Sequence, residues 1–126
     1  MGACMTKEAA LYSFWSGFGI PAYEENTVPT DANFPYITYQ VIVGSFGNGI
    51  MLTASVYYRS ESWNEINEKT REIKRTMKGN GGSLHCDGGG IRLWPEQAFA
   101  QNMGDESDDM IRRKYLSYVA YFNTTD

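Results

Sequence analysis
Residues Ser62 to Lys78, SWNEINEKTREIKRTMK, constrain the fold most, because they read as one long amphipathic helix. Trp63, Ile66, Ile73 and Met77 recur at helical spacing and form one apolar stripe. Ser62 and Glu65 stand in capping-box spacing, so two otherwise orphaned backbone donors are expected to be satisfied there. Acids lead (Glu65, Glu68) and bases follow (Lys74, Arg75, Lys78), the order the helix dipole favours. Glu65 and Lys69 are spaced as an i,i+4 pair. Gly79 and the Asn80-Gly81-Gly82 run stop the helix. Strand-like segments on both sides predict a sheet with this helix laid across one face.

The rest of the chain supplies that sheet. Thr6 caps a first helix, in which Leu11, Phe14, Trp15 and Phe18 bury an aromatic face until Gly17, Gly19 and Ile20-Pro21 end it. Residues 22–35 mix Pro, Asn and Asp and read as an extended loop. Tyr36 to Val43 is β-branched and aromatic enough for a strand, and Ile50 to Arg59 is its antiparallel return across the turn Gly44 to Gly49. Ser83 to Cys86 is a short strand, Asp87 to Gly90 a turn, and Ile91 to Trp94 a second short strand halted by Pro95. Glu96 to Asp109 reads as irregular. Ile111 to Asn123 alternates Tyr115, Ser117, Val119, Tyr121 against Leu116, Tyr118, Ala120, Phe122 and is expected to be the longest strand. The predicted order is α-β-β-α-β-β-β: an α+β fold with a mostly antiparallel β-sheet of about five strands and two helices packed on it.

No linker or internal repeat divides the 126 residues, which fit a single domain, 1–126, with 1–5 and 124–126 expected to fray. The net charge of −4 argues against a protein that grips nucleic acid. No basic-led apolar leader and no apolar run near the length of a membrane span is present, so a soluble intracellular domain is expected. The two cysteines, Cys4 and Cys86, do not make a disulfide framework and are expected to be reduced thiols.

Catalytic signals are few. His85, Cys86 and Asp87 are adjacent, but successive strand residues point to opposite faces, so the imidazole and thiol do not converge. One His and two Cys fall short of a zinc set, and the glycine clusters join strands rather than opening a helix as a phosphate loop does. No catalytic, cofactor-binding or metal-binding residue is assigned and no enzymatic role is expected; a small-ligand or enzymatic α+β domain with a cleft beside the central helix is the weaker alternative. The acidic run Asp105, Glu106, Asp108, Asp109 lacks the order of a calcium loop and reads either as a solvated loop or as an interface. Arg112, Arg113 and Lys114 follow it directly, an acid-then-base arrangement suited to pairing between neighbouring subunits. Phe46, on the glycine-rich turn with Ser45, Gly47 and Asn48, is an aromatic placed for a partner. Three Trp and nine Tyr fit interface anchors or a core.

The segment Val28–Tyr39 (VPTDANFPYITY), the hairpin, the central helix, Gly89–Pro95 (GGIRLWP) and Asp108–Tyr118 (DDMIRRKYLSY) together resemble the tail terminator, or tail completion, proteins of long-tailed bacteriophages and prophages. The likeness spans most of residues 6–123 and is distributed, with no catalytic word. Neighbouring head-tail joining proteins have similar size and composition. The resemblance implies a homo-oligomer, a hexameric ring on the tail tube protein. That ring would stop tube growth, meet the head-tail connector proteins and let DNA pass without specific binding. It implies a virion-tail location after assembly in the bacterial host cytoplasm, with no membrane and no cofactor. A ring needs two different complementary patches per subunit. Those expected are Ser45, Phe46, Gly47 and Asn48, and the stretch carrying Asp105, Glu106, Asp108, Asp109, Arg112, Arg113 and Lys114.

Overall fold
The structure, a computed structural model, describes residues 5–44, 49–105 and 107–125. Helix α1 (Lys7–Ser16) is followed by strands β1 (Ala22–Glu24), β2 (Tyr36–Tyr39) and β3 (Ile50–Arg59). Helix α2 (Asn64–Lys78) and a 3-10 turn (Asn80–Gly82) lead to β4 (Ser83–Cys86), β5 (Gly89–Met103) and β6 (Ile111–Thr124). The strands form one sheet in the order β1-β2-β3-β6-β5-β4. Class and helix number agree with the sequence reading; strand number and order do not, since six strands run α-β-β-β-α-β-β-β and β1 lies parallel to β2. The remaining neighbours pair antiparallel.

Each departure has a local cause. Strand β1 lies in the stretch read as a loop, and neighbouring backbone bonds place it: the Ile37 N–H donates to Pro21 O at 2.8 Å and the Glu25 N–H to Tyr39 O at 3.0 Å. Strand β2 stops at Tyr39 rather than Val43, because the Gln40 side-chain oxygen accepts the Thr53 N–H at 3.2 Å and takes over the ladder position. Strand β5 runs through Pro95 to Met103 and, not β6, is the longest. Its partner β4 ends opposite Arg92, so Pro95 sits where one side of β5 has no strand neighbour and a missing N–H is tolerated. The register against β6 then slips between Pro95 and Ala100. Met5, expected to fray, exchanges two bonds with Asp87, and Thr124, also expected to fray, is buried at the end of β6.

Alternation on the strands sets the core. Leu52, Ala54, Val56 and Tyr58 of β3 and Leu116, Tyr118, Ala120 and Phe122 of β6 are buried on one face. Both helices lie on that face. Helix α1 starts as expected, with the Thr6 hydroxyl accepting the Ala9 N–H at 3.0 Å, and buries Leu11, Phe14 and Trp15. The Trp15 ring stacks on Tyr39 and meets Tyr118 edge-on, at centroid distances of 6.3 and 5.5 Å. Burial pushes the Tyr39 hydroxyl up to about 12 and raises that of Tyr118 as well.

Helix α2 buries Ile66, Thr70, Ile73 and Met77, with the Thr70 hydroxyl donating to Ile66 O at 2.7 Å. Its expected capping box does not form. The Ser62 hydroxyl instead accepts the Asn64 N–H at 3.0 Å, closing a turn two residues on, and Trp63 occupies the cap position without a side-chain bond. Lys69 turns away from Glu65, pairing with Glu72 at 3.0 Å and donating to Phe18 O at 2.7 Å. That last bond ties α2 to the end of α1.

Candidate assembly interface
Because both helices occupy one face, the other face of β2-β3-β6-β5 is left without a helix. Alternation puts Tyr36 and Thr38, then Met51, Thr53, Ser55 and Tyr57, then Arg113, Tyr115, Ser117, Val119 and Tyr121 on this side. One end is polar and ordered. Tyr36 stacks on Tyr57 at 4.8 Å, and the Arg113 guanidinium lies 5.4 Å from the Tyr57 ring and 5.6 Å from that of Tyr115. The Arg113 Nε also donates to the Ser55 hydroxyl at 3.1 Å. These groups line a cavity of about 440 Å³, walled on one side by Glu25, Asn26 and Val28.

The other end is apolar. Met51, Val119 and Trp94 are in cross-strand register on β3, β6 and β5 and form a continuous row. Met51 is 64% exposed, Trp94 44% and the nearby Tyr121 42%. A polar-aromatic end beside an apolar end, carrying Tyr, Trp, Met and Arg, has the composition of a protein-protein contact surface.

The residues singled out from sequence fare unevenly. Ser45, Phe46, Gly47, Asn48 and Glu106 lie outside the described residues. Gly44, the described residue before them, accepts at its carbonyl oxygen from Lys7 Nζ at 2.7 Å, which ties Gly44 to α1. The acidic run builds its own turn. Asp105 accepts from the Ser107 N–H and hydroxyl at 2.8 and 2.6 Å, and these bonds hold its carboxyl below the usual carboxylate range. The Met110 N–H and then Arg59, at 2.9 Å each, do the same for Asp108. Asp109 is exposed, and its carbonyl oxygen accepts from Arg112 at 2.7 Å. The three consecutive bases divide between faces. Arg113 joins the helix-free side, whereas Arg112 and Lys114 flank Trp63 on the helix side.

The helix-free face itself was missed in the sequence, although alternation within Met51–Tyr57 carries its signal. His85 is exposed and Cys86 half-buried, on opposite sides of β4. Among the described residues no three of His, Cys, Asp and Glu gather as a metal set, and no helix is long and apolar enough to cross a membrane.

With this geometry in place, comparison with solved structures finds a counterpart. The fold recurs in a virion. A chain of the structure titled "Virion of native gene transfer agent (GTA) particle" superposes with a TM-score of 0.63 at 17% identity, covering 91% of this chain and 92% of that one. At that identity the likeness establishes the shared fold. No protein-family model matches the chain, and no curated protein matches it in sequence.

Proposed function
We propose that this chain is a structural, non-enzymatic component of a phage-like virion. It forms a ring, of six copies on the family resemblance, that caps the tail tube, ends tube growth and presents a joining surface to the head. The observation that carries this reading is the fold shared, nearly end to end, with a chain of a gene transfer agent virion. The helix-free face supports it, since Met51, Trp94 and Tyr121 stand exposed near one another on it, as anchors of a contact would. The net charge of −4 suits a ring through which DNA passes without being held by its phosphates. Asp105, Asp108, Asp109, Arg112, Arg113 and Lys114, with the turn bearing Phe46, remain the proposed contact residues on either side of the subunit boundary.

A neighbouring reading, another head-tail joining or minor tail protein, shares the same fold argument and differs in its binding partner. The test is to mix the purified chain with polymerised tail tube and follow tube length and appearance by electron microscopy. A terminator arrests growth and leaves one ring at one tube end. Binding to isolated head connector with no effect on tube growth would replace it by the neighbouring reading. Binding to neither would refute both.

A further inference from the structure
Helix α1 and the edge strand β1 leave an open groove between them on the helix-bearing side of the sheet. It holds about 490 Å³, and its lining includes Glu8 and Tyr12 of α1, Ala22 and Glu24 of β1, Thr27, and Tyr39 of β2. Glu8 and Tyr12 are one helical turn apart and stand side by side. Glu24 and Tyr39 are register partners in the parallel β1-β2 pair and so share a face of the sheet. Tyr23 turns to the other face, where its ring meets Tyr36 at 6.0 Å.

The groove is acidic and aromatic. No lysine, arginine or histidine lines it. The ion pairs among the described residues are Arg59–Asp108 and Lys69–Glu72, so neither Glu8 nor Glu24 is neutralised. Lys7, beside Glu8 in sequence, directs its ammonium to Gly44 O at 2.7 Å. Tyr12 is 53% exposed, which leaves one ring open to stacking. Tyr39 is only 3% exposed, yet its hydroxyl makes no hydrogen bond among the described residues. Unlike the Tyr118 hydroxyl it is not sealed in the core, and it opens on the groove. Burial, then Glu24 and Tyr12, push that hydroxyl up to about 12, so it stays neutral. Two carboxylates and a phenol oxygen thus offer acceptors with no cation to use them.

The sheet edge beside the groove is bare. Pro21 O and the Glu25 N–H turn inward to β2, so alternation sends the backbone groups of Ala22 and Glu24 outward, where β1 has no strand neighbour. Thr27 takes the Glu24 carbonyl. The N–H and C=O of Ala22 and the N–H of Glu24 remain for another strand.

We propose that this groove takes the arginine side chain of an extended segment of a partner protein, laid along the outer edge of β1. A guanidinium brings only donors, its planar fork suits carboxylates, and its face stacks on a ring such as Tyr12. A lysine ammonium has no plane to stack. The backbone of an extended segment meets the outward groups of Ala22 and Glu24, which a free small cation does not. The groove lies across the sheet from the helix-free face, so this partner and the contact surface described above do not compete.

The probe is acetyl-Val-Arg-Val-amide, whose β-branched residues favour an extended backbone. It is titrated into the protein and followed by NMR at the amides of Ala22 and Glu24 and at the Tyr12 ring. Saturable shifts are expected there, with binding weakened by about tenfold or more when uncharged citrulline replaces the arginine. Glu24→Gln, at an exposed position that leaves folding intact, should weaken binding by roughly tenfold. Tyr39→Phe keeps the ring that stacks on Trp15 and should weaken binding by about fivefold. Absence of saturable shifts, equal binding of the citrulline peptide, or wild-type affinity in Glu24→Gln would overturn the site. Methylguanidinium bound as tightly as the tripeptide would overturn the partner segment in favour of a free organic cation.

Discussion

Two tryptophans, one on each face of the sheet, separate stability from assembly. Trp15 is fully buried and packs against Phe14, Tyr39 and Tyr118. Truncating such a residue to alanine costs about 3–5 kcal/mol. Unfolding entropy for a chain of 126 residues is about 0.26 kcal/mol per degree, so Trp15→Ala should lower the melting temperature by about 12–19 °C. Trp94 is 44% exposed and held by cation contacts from Lys78 and Arg92 at 5.7 and 5.4 Å. Each contact contributes about 0.5–1 kcal/mol at an exposed site, so Trp94→Ala should cost about 1–2 kcal/mol in all. Association should show the opposite ranking. Trp94→Ala should weaken it by about tenfold or more, as loss of an aromatic anchor does. Trp15→Ala, kept well below its melting point, should associate as wild type does. The assay is calorimetry at a concentration where the chain is monomeric, since a ring would make melting concentration-dependent, followed by sedimentation across a dilution series. Equal destabilisation by the two variants would refute the assignment of Trp94 to an uncovered face. Unchanged association by Trp94→Ala would refute the use of that face as an interface.

Arg92 donates to Gly79 O and the Ser83 hydroxyl at 2.8 Å and to Lys78 O at 3.0 Å, closing the C-terminal end of α2 onto β5. Arg92→Ala should lower stability in urea titrations by about 1–2 kcal/mol, and Arg92→Lys should recover less than half, because an ammonium cannot span the same acceptors. The Asp105–Asp108 turn should depend on pH with a definite sign. Both carboxyls titrate below their ordinary 3.8, so the stability they contribute is present above that value and lost as pH falls through their lower folded values. The stability difference between wild type and the double variant Asp105→Asn, Asp108→Asn should therefore shrink as the solution is acidified below 3.8. A difference that stays constant with pH would contradict it.

What the sequence disclosed follows from how local each signal is. The apolar stripe of α2, the aromatic face of α1 and the inward alternation of β6 are short-range patterns that fix a face, and they bury the residues expected except Trp63, which is half-buried at the cap position of α2. Strand β1 was not legible, because Ala22–Glu24 has no strand preference of its own and is placed by bonds to residues about 15 positions away. The continuation of β5 past Pro95 depended on β4 being too short to occupy that edge, which is a property of the sheet and not of the segment. The capping box and the Glu65–Lys69 pair were each one of two local choices, and tertiary neighbours selected the other. The candidate interface was half legible. Arg113 and Lys114 were picked out as one basic run, yet their side chains serve opposite faces. Their aromatic partners, Tyr57 and Tyr115 for one and Trp63 for the other, come partly from elements distant in sequence.

Light scattering of the purified chain across a concentration series, with negative-stain images of the same fractions, tests the central claim most directly. A ring-forming virion protein should gain mass toward six subunits as concentration rises and show annular particles with a central hole. A compact dimer without a hole at every concentration would contradict it.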